Sequence, residues 1–173
     1  MRKLINYKNN ILKTVSAEVE KDEDLTELIT DLDKIGTFFH AYGISAVQLG
    51  IPKRVFLFRE DSLKQFSLAI NPQILEISET GNVAMEGCLS FPSISLPIAR
   101  PFMCKVQFEN QARELVEATY TGLLARVFLH EKDHLDSKTI ADNLSLLKKD
   151  LLDKKIAKWL KKISLADMVY ERN

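Results

Sequence analysis

The sequence predicts an α+β fold in one domain spanning residues 1–173, on three observations. Strand-like segments are short and lie between helical segments at either end. The 173-residue length suits one sizeable core, and no repeat or linker divides the chain. Taken in order, Leu25, Ile29, Leu32, Ile35 and Phe39 recur at helical spacing over 24–42, with Gly43 as the stop. Segments 54–59 and 68–77 read as strands, the second kinked or at an edge because it contains Asn71-Pro72. Residues 104–109 alternate strictly between apolar and polar and read as a half-buried strand. An Asn110-Gln111-Ala112-Arg113 turn joins them to a further strand at 115–120. A helix over 122–135 follows, with Thr121 as its N-cap, and a last helix covers about 144–163.

Composition excludes several classes. Lys+Arg and Asp+Glu each number 24, so no net charge recommends DNA as a partner. No apolar run approaches a membrane span, and the segment from Met1 to Lys8 lacks the apolar core of a secretion signal. The two cysteines, Cys88 and Cys104, stand in unlike surroundings and do not suggest a disulfide framework. A cytoplasmic protein is expected.

The chemistry concentrates in His130-Glu131-Lys132-Asp133-His134. On a helix, residues four apart lie one turn above each other, so His130 and His134 can turn two imidazoles toward one metal ion. Glu131 beside them is placed to take a proton from a water at that ion. Two ordinary helix-surface histidines are the competing reading. A catalytic site of this kind needs a third protein ligand, and few residues compete for the role. Cys104 falls on the alternating strand and reads as a small core hydrophobe. His40 ends a helix and reads as a cap or surface residue. Elimination leaves Cys88, in Glu86-Gly87-Cys88-Leu89-Ser90, either as that ligand or as a buried free thiol.

Three separated segments resemble the peptide deformylases, metallohydrolases that remove the formyl group from the N-terminal methionine of new proteins. Gly43-Ile44-Ser45-Ala46-Val47-Gln48 approximates the first family motif, Glu86-Gly87-Cys88-Leu89-Ser90 matches the second, and His130-Glu131-Lys132-Asp133-His134-Leu135 matches the third. The resemblance implies small mixed or antiparallel sheets around a central metal-binding helix. It implies Cys88, His130 and His134 as ligands of one divalent ion, with Fe(II) native in many members and Zn(II), Ni(II) or Co(II) also accommodated. Glu131 becomes the general base, and Gln48 with the Leu89 backbone N–H the donors to the developing oxyanion. Gly43, Ile44 and Leu123 fall at substrate-binding positions, and Glu86 with Arg100 at an ion pair bracing the Cys88 loop. Asp133 and Asp142 are candidate partners for the histidine rings. The expected substrates are N-formylmethionyl nascent peptides.

The chain departs from the family pattern at Ala41, Ser45, Leu129 and Ser137 without losing a catalytic group. Arg126, one turn before His130 where an apolar residue is usual, is expected either to narrow or polarise the methionine pocket and alter side-chain preference, or to extend to solvent. In the last helix, Leu147, Leu151, Ile156, Trp159 and Ile163 mark an apolar face, and residues 145–163 carry seven lysines against two aspartates. That basic amphipathic helix could contact ribosomal RNA, or dock on the domain with its lysines in water. The alternatives to a deformylase are another metallopeptidase, which would not use Cys88, and a diverged non-catalytic metal-binding or ribosome-associated relative. Intact Glu131 and Gln48 speak against the latter.

Overall fold

The computed structural model describes residues 2–59, 61 and 64–160. Helix α1 (Thr26–Phe38) precedes strands β1 (Gly43–Ser45), β2 (Val55–Phe58), β3 (Ser67–Ile77), β4 (Gly81–Cys88), β5 (Phe91–Pro101), β6 (Met103–Glu109) and β7 (Leu115–Thr121). Helices α2 (Gly122–Leu135) and α3 (Leu146–Leu160) follow. Five strands form one sheet in the order β1-β2-β3-β6-β7, and β4 with β5 forms a separate hairpin; all these pairings are antiparallel. This is a small α+β domain, as the segment order predicts.

Helix α2 is the axis of the fold. Its Ala125, Phe128 and Leu135 are fully buried against the five-stranded sheet. Phe128 meets Phe56 and Phe58 nearly edge-on, with ring centroids 4.9 and 5.3 Å apart, and also touches Phe108 and Tyr120. Such aromatic packing holds α2 in a single rotation on the sheet, and with it the direction of every side chain on the opposite face. Cys104 is fully buried in this cluster, where desolvation pushes its thiol up to about 11. It is a core residue, as its alternating segment implies.

Three expectations need correction. Helix α1 stops at Phe38, short of residue 42, because His40 turns left-handed (φ 51°). The His40 N–H then bonds the Thr37 carbonyl and the Ala41 N–H the Gly36 carbonyl, which closes the helix with a Schellman motif. Strand β3 lies inside the sheet and not at its edge, and it is kinked at Asn71-Pro72, where Asn71 has φ 50° and the register to β6 shifts. Strands β4 and β5 have no counterpart among the segments read from sequence. Along β4 the exposed residues include Val83 and Met85 while the buried one is Glu86, so the usual apolar-inward alternation is inverted.

The third correction concerns α3, which buries Leu152 and Ile156 against β5 and holds Trp159 partly buried. These lie at i, i+4 and i+7 and form one stripe. Leu147 and Leu151, expected on that face, stand 71% and 57% exposed instead. Ile163 and the last residues of the expected 144–163 helix lie outside the described residues. No helix among the described residues is long and apolar enough to cross a membrane.

Candidate active site

Helix α2 presents His130 and His134 one turn apart, with ring centroids 5.1 Å from each other. The β4–β5 hairpin brings Cys88 to them from the other side, and its Sγ lies 3.2 Å from His134 Nε2. Ligand atoms of Cys88, His130 and His134 all lie within 4.8 Å of one another. A tetrahedral centre with ordinary metal–sulfur and metal–nitrogen bonds spaces those atoms by roughly 3.5 Å, so this set fits one divalent ion. Its mixture of one soft thiolate and two imidazoles suits a transition metal. The single stretch His130 to His134 and a cysteine more than forty positions away thus converge as the sequence implies.

Glu86 is the hub behind this cluster. It is buried, and its two carboxylate oxygens accept from Arg100 Nε (2.7 Å) and Nη2 (2.9 Å). One of the same oxygens faces His130 Nδ1 at 2.9 Å. That bond orients the ring and leaves its other nitrogen for a metal. Burial pushes the Glu86 carboxyl up, but the bonds from His130 and Arg100 outweigh it and hold the group down at about 2. Sequence reasoning gave Glu86 only the bracing of the Cys88 loop. Its hold on His130 was missed, because nothing in the spacing of residues 86 and 130 predicts contact. Asp133 instead bonds Arg100 (2.8 Å), and Asp142 bonds Lys13 and Thr139. Among the described residues neither is bonded to a histidine ring, and His134 Nδ1 is buried without a hydrogen-bond partner.

Of the two courses expected of Arg126, extension to solvent is not taken: the residue is buried and borders the cleft. Its guanidinium is buried and turned into the hairpin, where Nη1 donates to Glu86 Oε1 (2.5 Å) and the Ile98 carbonyl (2.9 Å). Nη2 donates to the Asn82 carbonyl (2.8 Å) and side-chain oxygen (2.7 Å). It neither reaches solvent nor leaves an unpaired charge in the cleft.

Glu131 is 3% exposed and lies on the cleft side of α2. Its Oε2 is buried with no partner among the described residues. Burial foremost raises its carboxyl to about 7, although His130 and Arg100 pull the other way. A carboxyl near neutrality can both accept and return a proton. The residue opposite is Gly43, and a Cβ there would stand 2.5 Å from Glu131 Oε1. Gly43 is thus needed for the close approach of Glu131, a different demand from the substrate approach that sequence reasoning assigned to it.

Gln48 sits in a one-turn 3-10 helix (Ala46–Leu49) directly after β1. Its Oε1 accepts from the Ser45 N–H (2.9 Å) and hydroxyl (3.1 Å). With the oxygen end held, Nε2 is aimed at Cys88 Sγ (3.4 Å) and Ser90 Oγ (3.3 Å). The departure at Ser45 thereby supplies a second anchor for the amide.

Gly43, Gln48, Glu86, Cys88, Arg126, His130 and Glu131 border one cleft of about 510 Å³, with His134 buried behind it. Leu123, Arg126 and Val127 of α2 form one wall, and Phe39, Leu89 and Trp159 form part of another. Ile44, expected at the methionine pocket, is fully buried in the core with Leu32 and Ile35, and Gly43 borders the cleft at that strand. Phe39 and Trp159 were not singled out for the site. They come from segments far apart in the chain, and no local signal marks them.

The comparisons agree with this geometry. The family model for polypeptide deformylase matches residues 1–150. A peptide deformylase of Bartonella tribocorum is 36% identical over 177 aligned positions, covering 98% of each chain. One from Thermotoga maritima is 41% identical over 135, covering 78% of this chain and 81% of its own. The crystal structure of a Legionella pneumophila peptide deformylase superposes with a TM-score of 0.86 at 28% identity, over 93% of this chain and 96% of that one. Similar over nearly its whole length in sequence and in fold, the chain belongs to the polypeptide deformylase family, enzymes that remove the formyl group from an N-terminal methionine.

Proposed function

We propose that the protein hydrolyses the formyl amide of newly made N-formylmethionyl polypeptides, with Glu131 as the proton carrier. The observation that supports this best is the buried Glu131 carboxyl beside the converging Cys88, His130 and His134 side chains at one cleft. Cys88, His130 and His134 would hold the divalent ion, which when bound supplies Lewis acidity toward water and the formyl oxygen. Glu131 takes the proton of the attacking water and later delivers it to the departing amine, so formate and a free N-terminus leave together. Gln48 Nε2 and the Leu89 backbone N–H donate to the oxygen that gains charge. Glu86 and Arg100 keep His130 and the hairpin in place.

For the substrate, Leu123, Val127 and the aliphatic stem of Arg126 would form the methionine wall. The edge of β1 at Gly43 and Ile44 offers backbone groups to the peptide. Comparing formyl-Met with formyl-norleucine and shorter apolar substrates in Arg126→Leu tests that wall; unchanged ratios would remove Arg126 from it.

We assign Fe(II) as the working ion on family resemblance, with Zn(II), Ni(II) and Co(II) able to use the same donors. A thiolate ligand and a nascent-chain substrate both fit the reducing cytoplasm. Leu147, Leu151, Lys154 and Lys158 share one exposed face of α3 at helical spacing, and we assign that face to ribosomal RNA. Charge reversal at Lys154 and Lys158 should lower ribosome binding while small-peptide turnover persists.

The deciding experiment is formate release from formyl-Met-Ala by protein loaded anaerobically with Fe(II), beside Glu131→Ala. Release by the wild type, and its loss in a folded, metal-loaded variant, supports the assignment. A metal-loaded wild type that releases no formate removes it.

A further inference from the structure

Helix α3 does more than cover β5. Leu152 and Ile156 anchor it behind Cys88, in the cluster with Phe91 and Ile94. One turn later Trp159 reaches the cleft that contains Glu131 and Cys88. There it packs, with Phe39 and Leu89, on the apolar cluster of α1, β1 and β2. Val127, on the wall assigned to methionine, belongs to the separate cluster beneath α2. The cleft is therefore bordered by two apolar surfaces of independent origin.

The unpaired strand edges at the cleft offer an extended peptide a place between the two surfaces. Among the described strands, β1 pairs only with β2 and β4 only with β5, so each has an unpaired edge, and Gly43 and Gly87 of those strands both border the cleft. A peptide held between strand edges is extended, and successive side chains of an extended chain point to opposite sides. If methionine turns toward α2, the next side chain turns away from it, toward Phe39, Leu89 and Trp159.

We propose that Trp159, with Phe39 and Leu89, forms a second apolar subsite that receives the side chain of the residue after formylmethionine. The enzyme thereby favours substrates with a large apolar second residue. This inference rests on the deformylation reading above.

The test is kcat/KM for formyl-Met-X-Ala peptides, with X as Ala, Leu, Phe or Asp, on the metal-loaded wild type and Trp159→Ala. Burying most of a leucine side chain predicts a preference of about tenfold for Leu and Phe over Ala and Asp in the wild type. Trp159→Ala should compress that ratio to within about twofold, whatever its absolute rate. Equal ratios in the two proteins overturn the inference. Trp159 is the only tryptophan in the chain, so its fluorescence gives a second readout that needs no variant. Titrating the wild type with the product Met-Phe-Ala should shift or quench the emission more than Met-Asp-Ala at equal occupancy, and identical responses overturn the proposal. Formate release without dependence on X sinks this inference alone. No release from any peptide sinks the deformylation reading.

Discussion

Replacing Arg126 by leucine separates the two clamps on Glu86. In the wild type, Arg100 grips the carboxylate with two nitrogens and Arg126 adds a third charged contact at 2.5 Å. Arg126→Leu leaves Glu86 paired with Arg100 and His130, so no buried charge is orphaned. The loss is one charge-assisted hydrogen bond, about 1.5–3 kcal/mol, together with the bonds to Asn82 and Ile98. Asn82 is exposed, so water can take over its oxygens, and leucine recovers some apolar burial against the cleft wall. The net cost should be about 1–3 kcal/mol, or about 2–12 °C in Tm for a domain of this size. Arg100→Leu removes the two-nitrogen grip and the bond to Asp133, and should cost about 3–5 kcal/mol. Urea unfolding and thermal melts of both variants, with and without a chelator, give the ranking. An Arg126→Leu protein as stable as the wild type, or one that loses more than Arg100→Leu, would refute the clamp.

Gly43→Ala should push the Glu131 carboxylate out of place and lower kcat/KM by about 100-fold or more, with a smaller effect on Tm; stopped assays of formate release beside melts would separate the two. Phe128→Ala, emptying the space shared by Phe56, Phe58, Phe108 and Tyr120, should destabilise the fold by about 3–5 kcal/mol in urea titrations, and a cost under about 1 kcal/mol would contradict the packing. Burial pushes the Asp142 carboxyl up, but the bonds from Lys13 and Thr139 hold it below its ordinary range. Since its folded pKa is the depressed one, its stabilisation is present above the unfolded value and is lost as pH falls through the folded value. The Tm difference between wild type and Asp142→Asn should therefore be constant above about pH 5 and shrink toward zero in stronger acid.

Legibility in the sequence followed how local each signal was. Helix α2 begins and ends where its apolar spacing says, because one face packs on a sheet and the other carries the motif. Strands β2, β3, β6 and β7 were readable for a similar reason, since each has an apolar face turned to the core, buried in the first three and half-buried in β7. The β4–β5 hairpin was not. In β4 the buried residue is a charged Glu86 and the exposed ones include Val83 and Met85, which defeats any rule that sends apolar residues inside; β5 does bury Phe91 and Ile94, but its Pro92, Pro97 and Pro101 read against a strand. The metal-ligand candidates were legible as residue types, with Cys88 reached by elimination. The partner of His130, the turn of Arg126 into the hairpin and the arrival of Trp159 depend on tertiary approach. In α3 the lysine count was plain, but five apolar residues that fit a loose stripe did not reveal which of them the domain would cover.

The hairpin that carries Cys88 shares no ladder with the sheet beneath α2 among the described strands. Sulfur on one unit and imidazoles on the other are therefore kept in register by side chains, chiefly Glu86 with Arg126 and His130 and Arg100 with Asp133, and by the contacts of α3 with β5. A cation bound by all three ligands would act as a rivet between two backbone units. Its free energy of binding would then appear as resistance of the hairpin to opening, and amide exchange along β4 and β5 would report on occupancy as directly as turnover does.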